Sequence, residues 1–283
     1  MSPGARPGAS PGPTSPRRDA EAAPDGAPPP DGMVADGRGP GAYNVGGVAR
    51  FAVAADAVVF GWAPGTGLHV LLIQRAIPPW EGGWALPGGF VREGEGLHAA
   101  VLRELEEETG LRLHWMEQLG AFGAPGRDPR GRVVAVAFLA LVGRGDDPPR
   151  PGTDAAGARW FPVSEVPPLA FDHPAILRCA HARLRRRAEA MEPVGLALLP
   201  RPFTLAQLQQ LQEDVLGVPL DKANFRRRLG PWLSGPRALL EPAPAPPRTA
   251  PRPGPVPTWY TLRPGVAEAL RAHIGATPFE DLP

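Results

Sequence analysis

The stretch that most constrains this chain begins at Leu86-Pro87-Gly88-Gly89, which breaks any regular element, and continues through residues 96–109, which carry helix formers and no proline. It predicts a glycine turn feeding a helix that stops at Gly110, a residue suited to the left-handed position after a helix end. At about 100° per residue, Glu104, Glu107 and Glu108 fall within an arc of roughly 100° on one face, with Arg103 beside Glu107 one turn away. Glu106 points the other way. Val101, Leu102 and Leu105 make an adjacent apolar stripe, so one edge of the helix is expected in a core while the acidic edge looks into a cleft. Like charges on neighbouring turns repel, and folding alone does not ask for them. A solvated acidic helix face is one explanation. A hard divalent cation, Mg²⁺ or Mn²⁺, is the other: it takes carboxylate oxygens, keeps several waters, and suits pyrophosphate binding and activation of a water.

The full spacing favours the cation. Gly89, five residues, Glu95, seven residues, then Arg103-Glu104-Leu105-x-Glu107-Glu108-x-Gly110-Leu111 matches the Nudix box at every defined position, and the chain resembles a Nudix hydrolase. The resemblance implies an α/β/α sandwich with a mixed sheet, the box as loop, helix and loop with Gly89 at the substrate, and a nucleoside diphosphate linked to another group as substrate. It also makes Glu107 and Glu108 metal ligands and Glu104 a further ligand or the catalytic base. Arg103 then orients the cluster through Glu95 or Glu107.

Along the chain, residues 1–42 are rich in Pro, Gly, Ala and Ser with almost no large hydrophobes, and are expected to stay disordered because they bury too little apolar surface to offset ordering entropy. A Nudix domain is expected over 45–192. Residues 51–60 and 68–75 read as strands joined by a hairpin at Pro64-Gly65-Thr66-Gly67; 113–122 and 133–142 read as further strands, and 174–191 as a helix. In the loop Gly123-Ala-Pro-Gly-Arg127-Asp128-Pro129-Arg130-Gly131, Arg127 and Arg130 are candidate grips for a diphosphate, because a guanidinium offers paired donors. This loop resembles the proline-containing loop of Nudix proteins that act on ADP-ribose and its relatives. Arg75, at the end of a strand, joins the candidate substrate-binding set. Trp84, just before the box, is either a base-stacking platform or core, as is Trp80. Asp172 beside His173 is explained by helix capping rather than by an acid/base dyad.

Residues 198–283 form a third region. Thr204-Leu-Ala-Gln207 is a capping box opening a helix with Leu205, Leu208, Leu211 and Val215 on one stripe, ended by Gly217. A second helix follows Asp221, with Phe225 and Leu229 inward and Lys222, Asn224, Arg226, Arg227 and Arg228 as candidate DNA-binding residues. Two helices across a tight turn, then a β-run at 258–262 after a proline-rich insertion at 241–257, read as a small winged helix-turn-helix domain. From residue 201 onward 10 Lys and Arg face 7 Asp and Glu, a net of +3, so the positive charge is a local patch. This half resembles the winged helix of Nudix-related transcriptional regulators of NAD metabolism, which implies ADP-ribose or a related nucleotide as ligand, operator DNA as partner, and a homodimer. The chain's net charge of +1 declares no general polyelectrolyte partner. Its one cysteine, Cys179, excludes an internal disulfide and a cysteine-rich zinc site. No apolar run of membrane-spanning length and no export signal occur, so a cytoplasmic protein without a membrane partner is expected.

Overall fold

The computed structural model describes Met1 and residues 44–45, 48–49, 51–111, 113, 115–143, 155–236, 238–246 and 256–272, so the predicted tail lies outside the described residues apart from Met1. In chain order the first elements are β1 (Asn44–Val45), β2 (Val48–Ala49), β3 (Ala52–Ala63), β4 (Gly67–Arg75), β5 (Trp84–Ala85), β6 (Gly88–Phe90), α1 (Leu97–Thr109), β7 (Trp115–Phe122), β8 (Val133–Gly143), β9 (Ala155–Pro162) and α2 (His173–Glu189). After a 3₁₀ segment (Pro193–Leu198) come β10 (Phe203–Thr204), α3 (Leu205–Leu216), α4 (Lys222–Leu233), β11 (Leu240–Ala243), β12 (Trp259–Leu262) and α5 (Pro264–Ala272).

Seven strands form one sheet in the order β5-β4-β3-β8-β7, with β6 paired to β3 and β9 to β4. β3 and β8 run parallel from Ala52↔Val133 to Trp62↔Gly143; the other pairings are antiparallel. Parallel neighbours are covered on both faces, which is why these strands read as near-continuous apolar runs. Side chains alternate between the faces. Val58, Phe60 and Trp62 of β3, with Leu139 and Leu141 of β8, enter one core; Ala55, Ala57 and Val59, with Phe138 and Ala140, enter the other. The predicted hairpin joins β3 to β4, with Gly65 and Gly67 at φ 81° and 79° supplying the left-handed positions of its turn.

α1 closes the second core with Ala100, Val101 and Leu105. α2 closes the first with Ile176, Leu177, Ala180 and Leu184, leaving Cys179 exposed. That core does not stop at α2. Leu196 and Leu198 of the 3₁₀ segment carry it into Leu208, Leu211 and Val215 of α3, Phe225, Leu229 and Trp232 of α4, and Leu240 and Leu262 of the wing, all buried in one cluster. The Trp62 indole N–H donates to Asp214 Oδ2 of α3 at 2.6 Å, fastening the β3–β4 hairpin to the helical half.

Local signals hold there too. Thr204 Oγ1 accepts from Gln207 N–H and Gln207 Oε1 accepts from Thr204 N–H, the reciprocal pair of a capping box, and Gly217 ends α3 at φ 71°. Asp221 caps α4 by accepting from Asn224 N–H at 2.8 Å. The wing differs from the sequence expectation in one respect. β11 occupies the start of the predicted insertion, pairing Leu240↔Leu262 through Ala243↔Trp259. Pro242 is tolerated because β11 is an edge strand in the order β10-β12-β11, where no neighbour needs its missing N–H. Residues 247–255 of the insertion lie outside the described residues.

Candidate active site

The glycine turn is pressed between β3 and α1. Gly88 has φ 149°, and a Cβ there would lie 2.4 Å from Ala55 O; on Gly89 it would lie 2.3 Å from Glu104 Oε1. A side chain at Gly88 would run into backbone, and one at Gly89 would displace the Glu104 carboxylate. The Gly88 N–H donates to Glu108 Oε2 at 2.9 Å, so the Glu108 carboxylate ties the turn to the end of the helix.

Arg103 organises the acidic face. Its Nε and Nη2 donate to the two oxygens of Glu95 at 2.7 and 2.9 Å, its Nη1 to Glu104 Oε1 at 2.7 Å and Glu107 Oε2 at 3.2 Å, and its Nη2 also to Phe90 O at 3.2 Å. Where the sequence leaves a choice between Glu95 and Glu107, the guanidinium reaches both. Arg103, helped by the Arg92 N–H, holds the Glu95 carboxyl down at about 2. Glu108 is only 7% exposed, and burial pushes its carboxyl up to about 8 against the Gly88 N–H, with the nearby charges of Glu104 and Asp56 adding to the rise. Glu104 and Glu107 turn to Arg103 and Glu108 to Gly88. Among the described residues no group of three or more His, Cys, Asp or Glu is gathered to hold a metal ion.

A second charged network lies under the turn, and sequence reasoning missed most of it. Asp56 sits in β3 beside Gly88; burial pushes its carboxyl to about 7 although Arg127 opposes this, and its Oδ2 has no hydrogen-bond partner among the described residues. The signal available was a lone carboxylate inside the apolar run 51–60. Arg127, expected to grip a diphosphate, instead donates from Nε and Nη2 to both oxygens of Asp172 at 2.9 and 2.6 Å and stands 3.6 Å from Asp56. With its side chain 4% exposed, its donors are committed inward. Asp172 holds the N-cap position of α2 without a side-chain cap, because Arg127 has taken its carboxylate. His173 Nδ1 accepts the Leu86 N–H at 2.9 Å, which leaves its ring proton on Nε2, 3.8 Å from Asp56 Oδ2. Burial keeps His173 neutral, with a pKa near 3.

The other two arginines face an aromatic cluster. Arg130 donates to both oxygens of Asp128, at 3.1 and 2.7 Å, and lies 4.9 Å over the Phe90 ring. Arg75 donates to Pro79 O and Ile77 O at 2.7 and 3.3 Å. Trp84 packs edge-on against Phe161 at 4.8 Å beside the large core, whereas Trp80 is 56% exposed with φ 65°. The structure therefore brings Gly89, Glu95, Arg103, Glu104 and Glu107 together, sets Arg75 and Arg130 on a neighbouring platform, and uses Arg127 and Trp84 in packing.

On α4, Lys222, Asn224, Arg226, Arg227 and Arg228 are all exposed while Phe225 and Leu229 are buried. Arg227 Nη2 donates to Asn224 Oδ1 at 3.0 Å. Arg228 turns the other way and donates to Glu189 O, at the end of α2, at 2.7 Å. No helix among the described residues is long and apolar enough to cross a membrane.

Comparison with known proteins agrees with both halves. The NUDIX domain matches residues 50–180, and the NrtR DNA-binding winged helix domain matches residues 195–231. The chain is 37% identical over 166 residues to the ADPR responsive transcriptional repressor NtrR of Acinetobacter baylyi, a match covering 57% of this chain and 66% of that one. It is 44% identical over 109 residues to the ADP-ribose pyrophosphatase of Methanocaldococcus jannaschii, covering 38% of this chain and 63% of that one. The matched region thus spans just under two thirds of these curated relatives. The crystal structure of Shewanella oneidensis NrtR complexed with a 27mer DNA superposes with a TM-score of 0.61 at 32% identity, covering 76% of this chain and 95% of that chain.

Proposed function

The chain belongs to the Nudix superfamily, as a Nudix domain followed by an NrtR-type winged helix domain, and from that premise we propose that it is a metal-dependent hydrolase. The substrate class is a nucleoside diphosphate linked to another moiety, with ADP-ribose or a related NAD metabolite foremost. The observation that carries the reading is the complete acidic face of α1 organised by Arg103. The donor chemistry suits a hard cation: the groups are carboxylates, burial penalises the uncompensated charge at Glu108 and Asp56, and a cation would draw Glu107 and Glu108 from the Arg103 and Gly88 donors that they meet here. Glu107 and Glu108 would hold Mg²⁺ or Mn²⁺, which when bound supplies charge neutralisation for the pyrophosphate and a more acidic water.

The chain's own residues do the rest. Arg103 keeps Glu95 ionised and fixes one oxygen of Glu104, whose other oxygen makes no hydrogen bond among the described residues and is available to take a proton from the attacking water. The absence of side chains at Gly88 and Gly89 lets the turn lie against β3 and leaves the Glu104 carboxylate its place beside it. Water adds at a pyrophosphate phosphorus, a P–O bond breaks, and ADP-ribose yields AMP and ribose 5-phosphate. The test is AMP release from ADP-ribose in Mg²⁺ and in EDTA, with NADH, diadenosine polyphosphates and nucleoside triphosphates as comparators. Turnover that EDTA abolishes is expected, and no turnover of any of these substrates with Mg²⁺ or Mn²⁺ contradicts the reading.

A second reading is favoured by α4, whose outward face carries Lys222, Asn224, Arg226 and Arg227 on a buried Phe225 and Leu229. In it the winged helix binds operator DNA with α4 in the major groove, and the Nudix domain senses the nucleotide. Its similarity to a repressor and to an NrtR solved with DNA supports this. A mobility shift on DNA upstream of the chain's own gene, repeated with ADP-ribose, tests it: release by the nucleotide is expected, and no complex at low salt contradicts it.

A further inference from the structure

Phe171 has φ 55°, in the left-handed region that a bulky side chain rarely enters. Its neighbours hold it there. Leu169 bridges to Trp84 and the Ala170 N–H donates to Trp84 O at 2.8 Å, while Asp172 is clamped by Arg127 and His173 takes the Leu86 N–H. A backbone outlier over-determined on both sides points to a task for the side chain it aims. The ring is half-buried against Ile73, Ala85 and Ala170, and two guanidiniums stand against it: Arg75 Cζ lies 4.9 Å from the centroid and Arg130 Cζ 5.7 Å.

Two cations on one ring repel each other, and each is also drawn to the ring's π face. Burial, reinforced by the Arg130 charge, lowers the pKa of Arg75. Asp128 neutralises Arg130, but the hydrogen bonds of Arg75 go to the carbonyls of Pro79 and Ile77, and among the described residues no carboxylate pairs with it. The pair also adjoins the box, because Arg130 stacks on Phe90, whose carbonyl accepts from Arg103. An anion with several oxygens beside the two guanidiniums would relieve the repulsion by accepting from the Nη1 group of each, which the bonds to Asp128, Pro79 and Ile77 leave unused among the described residues. We propose that Phe171 is the positioning residue that holds Arg75 and Arg130 as a paired clamp for the phosphate groups of the substrate. The identity of that anion rests on the hydrolase reading.

The test compares wild type with Phe171→Leu, which keeps apolar bulk without a ring face, and Phe171→Tyr, which restores the face. KM and kcat for ADP-ribose in Mg²⁺, ADP-ribose affinity by calorimetry, and melting temperature are read for each. For Phe171→Leu the clamp predicts KM and Kd raised about tenfold, from the loss of two cation–π contacts. It also predicts a kcat held within about threefold and recovery of affinity in Phe171→Tyr. KM and Kd unchanged in a folded Phe171→Leu, or no recovery in a folded Phe171→Tyr, overturns it. Should wild type bind ADP-ribose without hydrolysing it, the hydrolase reading falls and the affinity series still decides Phe171. A wild type that neither hydrolyses nor binds it overturns both.

Discussion

The two faces of the central sheet are made by the same strands but differ in reach. On the α1 face, Ala55, Ala57, Ala100 and Ala140 let the helix lie close, and the core ends at the box. On the α2 face, the core that begins at Phe60 and Trp62 runs without a break to Leu229, Trp232 and the wing. The acidic face is therefore local, built on one short stretch of chain. The winged helix, by contrast, shares its core with the sheet, so the two halves are expected to stand or fall together.

The sharpest way to break this contrast is Glu104→Gln. A local catalytic face predicts a loss of kcat of roughly a hundredfold or more with an unchanged melting temperature and unchanged DNA binding; a melting temperature that falls with kcat would show that the box is structural. Next is Leu211→Ala in α3. Deleting a buried leucine costs about 2–5 kcal/mol, and a shared core predicts one unfolding transition, shifted alike when read by far-UV circular dichroism and by tryptophan fluorescence. Two separated transitions would show that the winged helix has a core of its own.

The pH dependence sharpens the electrostatic side. Glu108, raised from 4.5 to about 8 by burial, favours the fold when protonated, so its contribution is full below the unfolded value and lost as pH rises through about 8. Glu95, depressed to about 2 by Arg103 and the Arg92 N–H, acts oppositely: its contribution is present above the ordinary value of 4.5 and lost as pH falls through about 2. Denaturant titrations between pH 6.5 and 9 in EDTA, above the range in which neutral His173 makes stability rise with pH, should show stability falling as Asp56 and Glu108 ionise, and Glu108→Gln should flatten that slope. An equal slope in the variant would contradict the assignment. The smallest effect expected separates two adjacent-looking arginines. Arg226→Ala should weaken DNA binding and reduce the salt slope by about one, whereas Arg228→Ala, whose guanidinium is tied to Glu189 O, should change the slope less. Equal slopes would show that Arg228 leaves α2 on binding DNA.

What was legible in the sequence was what contiguous residues decide. The box, the Gly110 stop, the hairpin at Gly65 and Gly67, and the Thr204–Gln207 cap are all made by residues a few positions apart. What was not legible joins distant segments: Arg127 to Asp172 across 45 positions, Leu86 to His173 across 87, and Trp62 to Asp214 across 152. An arginine in a loop looks free until a carboxylate from another element claims it, which is why Arg127 read as a phosphate grip. β11 was hidden for a different reason: Pro242 argues against a strand unless the strand is known to be an edge.

The most direct measurement of the central claim is a phosphorus NMR time course of ADP-ribose with the full chain, in Mg²⁺ and again in EDTA. A hydrolytic box predicts that the diphosphate resonances disappear in Mg²⁺ alone and that two phosphomonoester resonances, of AMP and ribose 5-phosphate, replace them. Diphosphate resonances that persist in Mg²⁺ while ADP-ribose raises the melting temperature would contradict it, and would leave the acidic face of α1 as part of a sensor.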